Sequence, residues 1–137
     1  MGEIVVGIDG SDHARRALGW AVEEAKLRGA TLRLVHSWKF PAPVPLPDGG
    51  VAPADLEGVA NATLDDACAL VDDGVAVQRE IANDHAAMAL VRCSEGADLV
   101  VLGARGLGGF KGLLLGSVSA QVVHHAKCPV VIVPGDR

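Results

Sequence analysis

The chain has 137 residues, the length of one ordinary domain, and half of them are hydrophobic. Its formal net charge of -5 and its scattered Lys and Arg residues argue against a nucleic-acid partner, which needs a basic patch. No apolar run approaches the roughly 20 residues of a membrane-spanning helix, and the N-terminus lacks a signal-peptide pattern. We therefore expect a single domain over residues 1–137 that engages neither nucleic acid nor membrane.

The first part of the chain predicts two buried strands and a capped helix. Ile4–Ile8 is a β-branched run that Asp9-Gly10-Ser11 interrupts. Ser11 suits an N-cap, and apolar residues recur at helical spacing over Ala14–Leu27. Gly29 suits the left-handed residue that ends a helix. Thr31–His36 is the second predicted strand.

Residues Trp38–Pro53 contain five prolines and two glycines, and they predict a loop that holds neither a helix nor a central strand. A loop of this length suggests a lid or a binding loop, with disorder as the alternative. Trp38 and Phe40 are candidates to cover a ligand from this loop.

The remaining segments continue the alternation of helices and strands. They are, in chain order, a helix, a strand, a helix, a strand, a glycine-rich loop, a helix and a final strand: Asp55–Val71, Val75–Ile81, Ala86–Cys93, Asp98–Gly103, residues 103–116, Ser117–Ala126 and Pro129–Val133. Such alternation predicts a parallel sheet with helices on both faces.

The cysteines and histidines predict neither a disulfide framework nor a metal centre. Cys68, Cys93 and Cys128 are odd in number and form no CxxC pair, which favours a reducing compartment such as the cytoplasm. The histidines form no HExxH motif or zinc-type cluster, and the adjacent His124 and His125 cannot face one way on a helix. We expect no metal bound by the protein alone.

The stretch from Gly103 to Ser117 carries the strongest functional signal, with six glycines in fifteen residues ahead of a predicted helix. Glycine lets backbone N–H groups approach a phosphate, and a helix N-terminus favours an anion. Arg105 and Lys111 add positive charge. Ligands of open α/β sheets bind beyond the carboxyl ends of the strands, which brings in Asp9 as well.

The residues alone leave two interpretations of this loop open. It is either a phosphate site or a crossover whose glycines serve packing. The Walker A pattern and the dinucleotide fingerprint are both absent, so neither of those motifs decides between the two.

The spacing Gly103-x2-Gly106-x9-Gly116-Ser117 resembles the ATP-binding signature of the universal stress protein family, G-x2-G-x9-G-[S/T]. Three further segments resemble that family in the same order: IVVGIDGS (4–11), ADLVVLGARG (97–106) and GSVSAQVVHHAKCPVVIV (116–133). The resemblance covers nearly all of residues 3–134. Four matching segments in order are far more specific than a lone glycine motif.

This resemblance implies an open, five-stranded parallel sheet of the Rossmann-like, adenine nucleotide alpha hydrolase-like type, with strand order 3-2-1-4-5. It also implies an ATP site in which Mg²⁺ travels with the phosphates. Asp9 would lie near the adenine and ribose or the metal, and Ser37 would meet the adenine edge through its backbone. The residues implied to line the ribose and phosphates are Gly103, Gly106, Gly116, Ser117 and Val118, with Ser119 offering a further hydroxyl.

The resemblance further implies a two-fold homodimer through the edge strand Val130–Val133, since an apolar edge invites pairing with another chain. The predicted function is an ATP-binding stress-response or signalling module whose dimer or partner surface responds to nucleotide. The sequence supplies no clear general base and no transition-state clamp. A slow ATPase and a nucleotide-independent dimer are therefore the two alternatives.

Overall fold

The computed structural model describes residues 2–37, 44–45, 51–52, 56–105 and 115–135. The elements in chain order are β1 (Glu3–Gly7), α1 (Asp12–Arg28), β2 (Thr31–Ser37), β3 (Val44–Pro45), β4 (Val51–Ala52), α2 (Leu56–Cys68), β5 (Val77–Ala82), α3 (Ala86–Ser94), β6 (Leu99–Gly103), α4 (Ser117–His125) and β7 (Val130–Val133). None of the described helices has an apolar stretch of the length that a bilayer crossing needs.

The main sheet has the order β5-β2-β1-β6-β7, and every neighbouring pair is parallel. Counted by main-sheet strands alone, this is the predicted order 3-2-1-4-5, which is confirmed. The chain moves from β1 to β2 on one side and later returns to β6 on the other side. The strand order therefore reverses between β1 and β6, which is where open α/β sheets bind their ligands.

Helices cover both faces of the sheet, and each face has its own buried cluster. Alternate strand residues such as Ile4, Val6, Leu32 and Leu34 pack with α1 and α2. The intervening positions, Val5 among them, pack with α3 and α4. Because both faces are covered, residues 4–6 of β1 and residues 99–102 of β6 are apolar and buried at every position, as the β-branched runs predicted.

The caps of α1 form at the predicted residues. The Ser11 side chain accepts a hydrogen bond from the Ala14 N–H, and Gly29 adopts the left-handed conformation with φ 63°. Its N–H donates to the carbonyl of Ala25. These caps satisfy backbone groups that the helix itself leaves without partners.

Three segments differ from the sequence prediction. The strand predicted over Val75–Ile81 is observed as Val77–Ala82, and the Val75 N–H forms a turn hydrogen bond with the Asp72 carbonyl. The predicted loop at residues 38–53 contains a short antiparallel pair, β3 with β4, in which Pro45 lies opposite Val51. Proline is compatible with a two-residue pair at an edge, although it excludes a central strand. Helix α2 ends at Cys68 rather than Val71, because the N–H groups of Leu70 and Val71 form tighter turn bonds three residues back.

The two edges of the main sheet are chemically different. All residues of β7 are half-buried apolar side chains. The N–H of Val100 donates to the carbonyl of Pro129, and that of Ala104 donates to the carbonyl of Val133. This register turns the backbone groups of Val130 and Ile132 away from β6. At the opposite edge, Arg79 of β5 is exposed and its Nη1 lies 2.5 Å from Asp65 Oδ1.

A charged cluster lies on the face of the sheet that α3 covers. The Arg33 guanidinium lies 3.0 Å from Glu3 Oε2 and 3.0 Å from Glu80 Oε1. Glu80 Oε2 also accepts from Arg92 at 3.1 Å and contacts the Cys93 Sγ at 3.4 Å. Each side chain in this cluster is half-buried or better except that of Arg92, so the charges are paired where water is scarce.

Candidate functional site

The carboxyl ends of β1 and β6 lie side by side, because Val6 is opposite Val101 in the parallel register. Asp9 follows β1, and Ala104 with Arg105 follows β6. The structure thus brings Asp9 beside the start of the glycine-rich loop, as the sequence predicts. This edge of the sheet is the switch point at which the site is expected.

Asp9 forms a tight turn that leads into α1. Its Oδ1 accepts the N–H of Ser11 at 2.9 Å, and Gly10 between them has φ 84°. Ser11 then caps α1 by accepting the Ala14 N–H on its Oγ at 3.1 Å. The half-buried Asp9 carboxylate is therefore held in a fixed position at the strand exit.

Gly103 ends β6 in close contact with α1. A Cβ on this residue would lie 2.7 Å from the carbonyl carbon and oxygen of His13. The Gly103 carbonyl accepts a hydrogen bond from the Ser119 Oγ at 2.8 Å, and Ser119 is buried. The hydrogen bond from Ser119 thus links α4 to β6. Contact of Ser119 with a ligand stays a prediction.

Helix α4 begins with its first N–H groups at this same edge. The N–H of Gly116, the N-cap, donates to the Ala104 carbonyl at 2.7 Å, which holds the helix start against the exit of β6. Among the described residues, no side chain caps α4 and no acidic residue occupies its first turn. Ser117 and Val118 are exposed there, and the first N–H groups of a helix have no partner within it. Binding of an anion to these groups stays a prediction.

The end of β2 lies on the other side of β1 from β6, and contact of Ser37 with a ligand stays a prediction. Ser37 lies opposite Ala82 of β5, and its Oγ donates to the backbone carbonyl of Asp84. The preceding residue, His36, places its Nδ1 2.8 Å from the carbonyl oxygen of Ile8. Both side chains link β2 to residues just beyond the neighbouring strands.

Known proteins resemble this chain along nearly its whole length. The sequence profile of the universal stress protein family matches residues 1–134. The chain belongs to the universal stress protein family. A universal stress protein of Mycolicibacterium smegmatis is 37% identical over 142 residues, and the alignment covers 97% of this chain and 48% of the relative. The chain spans about half the length of the curated relatives it matches.

Solved structures of the family have the same fold. A universal stress protein in complex with cAMP is 29% identical, with a TM-score of 0.69 and coverage of 98% of both chains. The universal stress protein from Archaeoglobus fulgidus in complex with dAMP is 28% identical, with a TM-score of 0.73 and coverage of 96% and 97%. The family assignment and the fold predicted from the sequence are both confirmed.

Several predicted ligand residues of this universal stress protein lie outside the described residues. Gly106 and Lys111 fall within residues 106–114, and Trp38 and Phe40 fall within 38–43. Arg105 is described and half-buried beside the exit of β6. Contact between a ligand and any of these residues stays a prediction.

Two histidines make contacts that the sequence analysis did not predict. The ring of His13 packs against Gly135, where an added Cβ would lie 2.3 Å from the imidazole, and the His13 Nδ1 is buried with no partner among the described residues. His36 is half-buried, and its Nδ1 lies 2.8 Å from the carbonyl oxygen of Ile8. In a strand, alternate side chains lie on the same face, so the sequence places the His36 side chain on the buried face of Leu32 and Leu34. This alternation could have predicted that His36 faces the protein interior.

Proposed function

We propose that this universal stress protein binds an adenine nucleotide, with ATP as the predicted form, at the carboxyl edge between β1 and β6. The observation that carries the proposal is the start of α4, which presents N–H groups of Ser117 and Val118 at the switch point. Phosphate groups bind to such helix starts. Relatives solved with cAMP and dAMP support an adenine nucleotide as the ligand.

The sharpest test places a negative charge at the start of α4. An acidic residue in the first turn of a helix stabilises the fold, yet it repels a phosphate at the same position. We expect Ser117→Asp to raise the Kd for Mg-ATP at least about tenfold in calorimetry, with an unchanged or higher melting temperature. Gln121→Glu adds a charge to the same helix one turn later, and it is the matched control.

The outcome separates the proposal from its alternatives. Unchanged nucleotide affinity in Ser117→Asp would remove α4 from the site. A wild-type protein whose melting temperature is indifferent to ATP, ADP, AMP and cAMP would favour the nucleotide-independent dimer, because a ligand of the native state must stabilise it.

Mg²⁺ would be carried by the phosphates of the nucleotide. The described residues hold no group of three or more His, Cys, Asp or Glu side chains that could enclose a metal. Asp9 supplies one carboxylate near the proposed phosphates, and Mg²⁺ is commonly held by one or two carboxylates together with substrate phosphates. The residues present therefore fit an ion that arrives with ATP.

We further propose that the protein is a homodimer through β7. The backbone groups of Val130 and Ile132 face away from β6, and the side chains of β7 are apolar and half-buried, features that favour pairing with a second strand. Ile132→Pro removes an outward N–H and leaves the bonds between β6 and β7 in place. We expect it to convert a dimer to a monomer in light scattering, whereas Ile132→Val keeps the N–H and the dimer.

Hydrolysis of ATP is the second candidate activity, and the Asp9 carboxylate beside the proposed phosphates is the feature that favours it. Slow phosphate release that exceeds background and is lost in Asp9→Asn would support it.

The proposed role is otherwise a single-domain stress-response or signalling module of the cytoplasm, in line with cysteines that are all free.

A further inference from the structure

Strand β2 ends with two consecutive side chains that reach past both of its neighbours. The His36 Nδ1 lies 2.8 Å from the carbonyl oxygen of Ile8, one residue beyond the end of β1. The Ser37 Oγ donates to the carbonyl of Asp84, two residues beyond the end of β5. Three strand exits are thus linked after their regular backbone pairing has stopped.

The contact of His36 defines which ring nitrogen carries the proton. A carbonyl oxygen only accepts hydrogen bonds, so Nδ1 must be the donor. The bond forms with either the neutral Nδ1–H tautomer or the imidazolium. It is therefore a directional link that a side chain without a donor at this position cannot replace.

The link leads directly to the Asp9 turn. Ile8 is held by β2 at both backbone groups, since its N–H also donates to the Val35 carbonyl at 2.8 Å. Asp9 comes next, and its Oδ1 accepts the Ser11 N–H at 2.9 Å. A continuous series of hydrogen bonds therefore runs from His36 through the Asp9 turn to the first turn of α1.

We infer that His36 is a positioning residue, which fixes the exit of β1 and thereby the Asp9–Ser11 turn at the proposed nucleotide site. Its effect on nucleotide affinity rests on the proposed function, whereas its effect on the turn does not. Pre-ordering of the turn lowers the entropy that a ligand must otherwise remove when it binds. His36 acts through Ile8 and need not touch the nucleotide.

The experiment compares three variants of the full chain. His36→Ala removes the donor, and His36→Asn restores an amide donor at the same distance from Cβ as Nδ1. His124→Ala removes an exposed imidazole at the far end of α4 and is the control. Amide hydrogen exchange of Ser11 reports the turn without ligand, and calorimetry with AMP reports the site.

We expect His36→Ala to speed exchange at Ser11 about tenfold and to weaken AMP binding about five- to tenfold, as loss of one hydrogen bond would. His36→Asn should restore both within about twofold of the wild type, a rescue that mere loss of packing would not show. Unchanged exchange in His36→Ala, or an Asn variant as impaired as the Ala variant, would overturn the inference. A wild type that binds neither AMP nor Mg-ATP, together with the expected exchange pattern, overturns the proposed function and supports the positioning role.

Discussion

The backbone of His13 occupies the space that a side chain on residue 103 would need. A Cβ at Gly103 would lie 2.7 Å from backbone atoms of His13, a distance that real Cβ atoms essentially never show. Helix α1 and strand β6 therefore meet closely at the switch point because position 103 is glycine. The family signature has glycine there, and the structure supplies a packing reason for it.

Gly103→Ala should lower the free energy of unfolding by about 1–3 kcal/mol, as overpacking at a rigid contact does. Urea denaturation measures the change. Gly19→Ala is the control, because the site is an open helical position with no atom within 4 Å of the added Cβ. It should stabilise the protein by up to about 1 kcal/mol through helix propensity. Equal effects of both substitutions would contradict the proposed contact.

Ser119→Ala should lower the free energy of unfolding by about 1–2 kcal/mol, because the Gly103 carbonyl loses the buried hydroxyl that donates to it. The exposed Ser117→Ala should change stability by less than about 0.5 kcal/mol. The two serines are two residues apart on α4, so the comparison isolates the bond to β6. A Ser119→Ala variant as stable as the wild type would show that this bond is dispensable.

In Glu80→Gln, the free energy of unfolding should fall less steeply than in the wild type as the pH is lowered into the acid range. Burial alone would raise the pKa of Glu80, but hydrogen bonds from Cys93, Arg92 and Arg33 outweigh burial and lower the pKa. The stability that this group contributes is present above its unfolded pKa of about 4.3 and is lost as the pH falls through the folded pKa.

Glu80→Gln should therefore reduce the free energy of unfolding by about 1 kcal/mol at pH 7, and the difference should shrink below about pH 4. Urea melts at several pH values measure it. Substitution of the exposed Glu95 by Gln is the control, and it should leave the free energy of unfolding unchanged both at pH 7 and in acid. A Glu80→Gln deficit that persists unchanged in acid would show that packing, not charge, is responsible.

Cys93 should be the least reactive thiol of the folded protein. Burial, together with the contact to Glu80, raises the pKa of Cys93 to about 11 from an ordinary value of 9.0. In a variant with Cys68→Ser and Cys128→Ser, alkylation of Cys93 at pH 8 should be about a hundredfold slower in the folded chain than in urea. A variant that keeps only the half-buried Cys68 is the control, and equal folded and unfolded rates for Cys93 would refute its protection.

Much of the fold could be predicted from the sequence because its signals are local and strong. The β-branched runs, Ser11 and Gly29 report their own backbone environment, and the alternation of elements then restricts the topology to a parallel sheet. Helix ends were less certain: α2 stops at Cys68 because of turn hydrogen bonds that the apolar pattern does not encode.

The candidate site was only partly predictable, since its supporting contacts join residues far apart in the chain. The positions of Asp9 and Gly116 follow from a short motif and the strand order. The bonds from Ser119 to Gly103 and from His36 to Ile8 depend on side-chain direction across two elements, which one sequence does not specify. The pairing of Glu80 with two arginines was missed for the same reason.

The difference between the two edges of the sheet affects whether copies of this chain can extend the sheet by pairing strand to strand. The β7 edge turns the backbone groups of Val130 and Ile132 away from β6 in a short segment between Pro129 and Pro134, and the β5 edge presents Arg79 and its ion pair. A charged edge resists strand addition. In the proposed dimer, growth by edge pairing would therefore end once two β7 strands have paired, because the charged β5 edge disfavours extension of the sheet into a fibre.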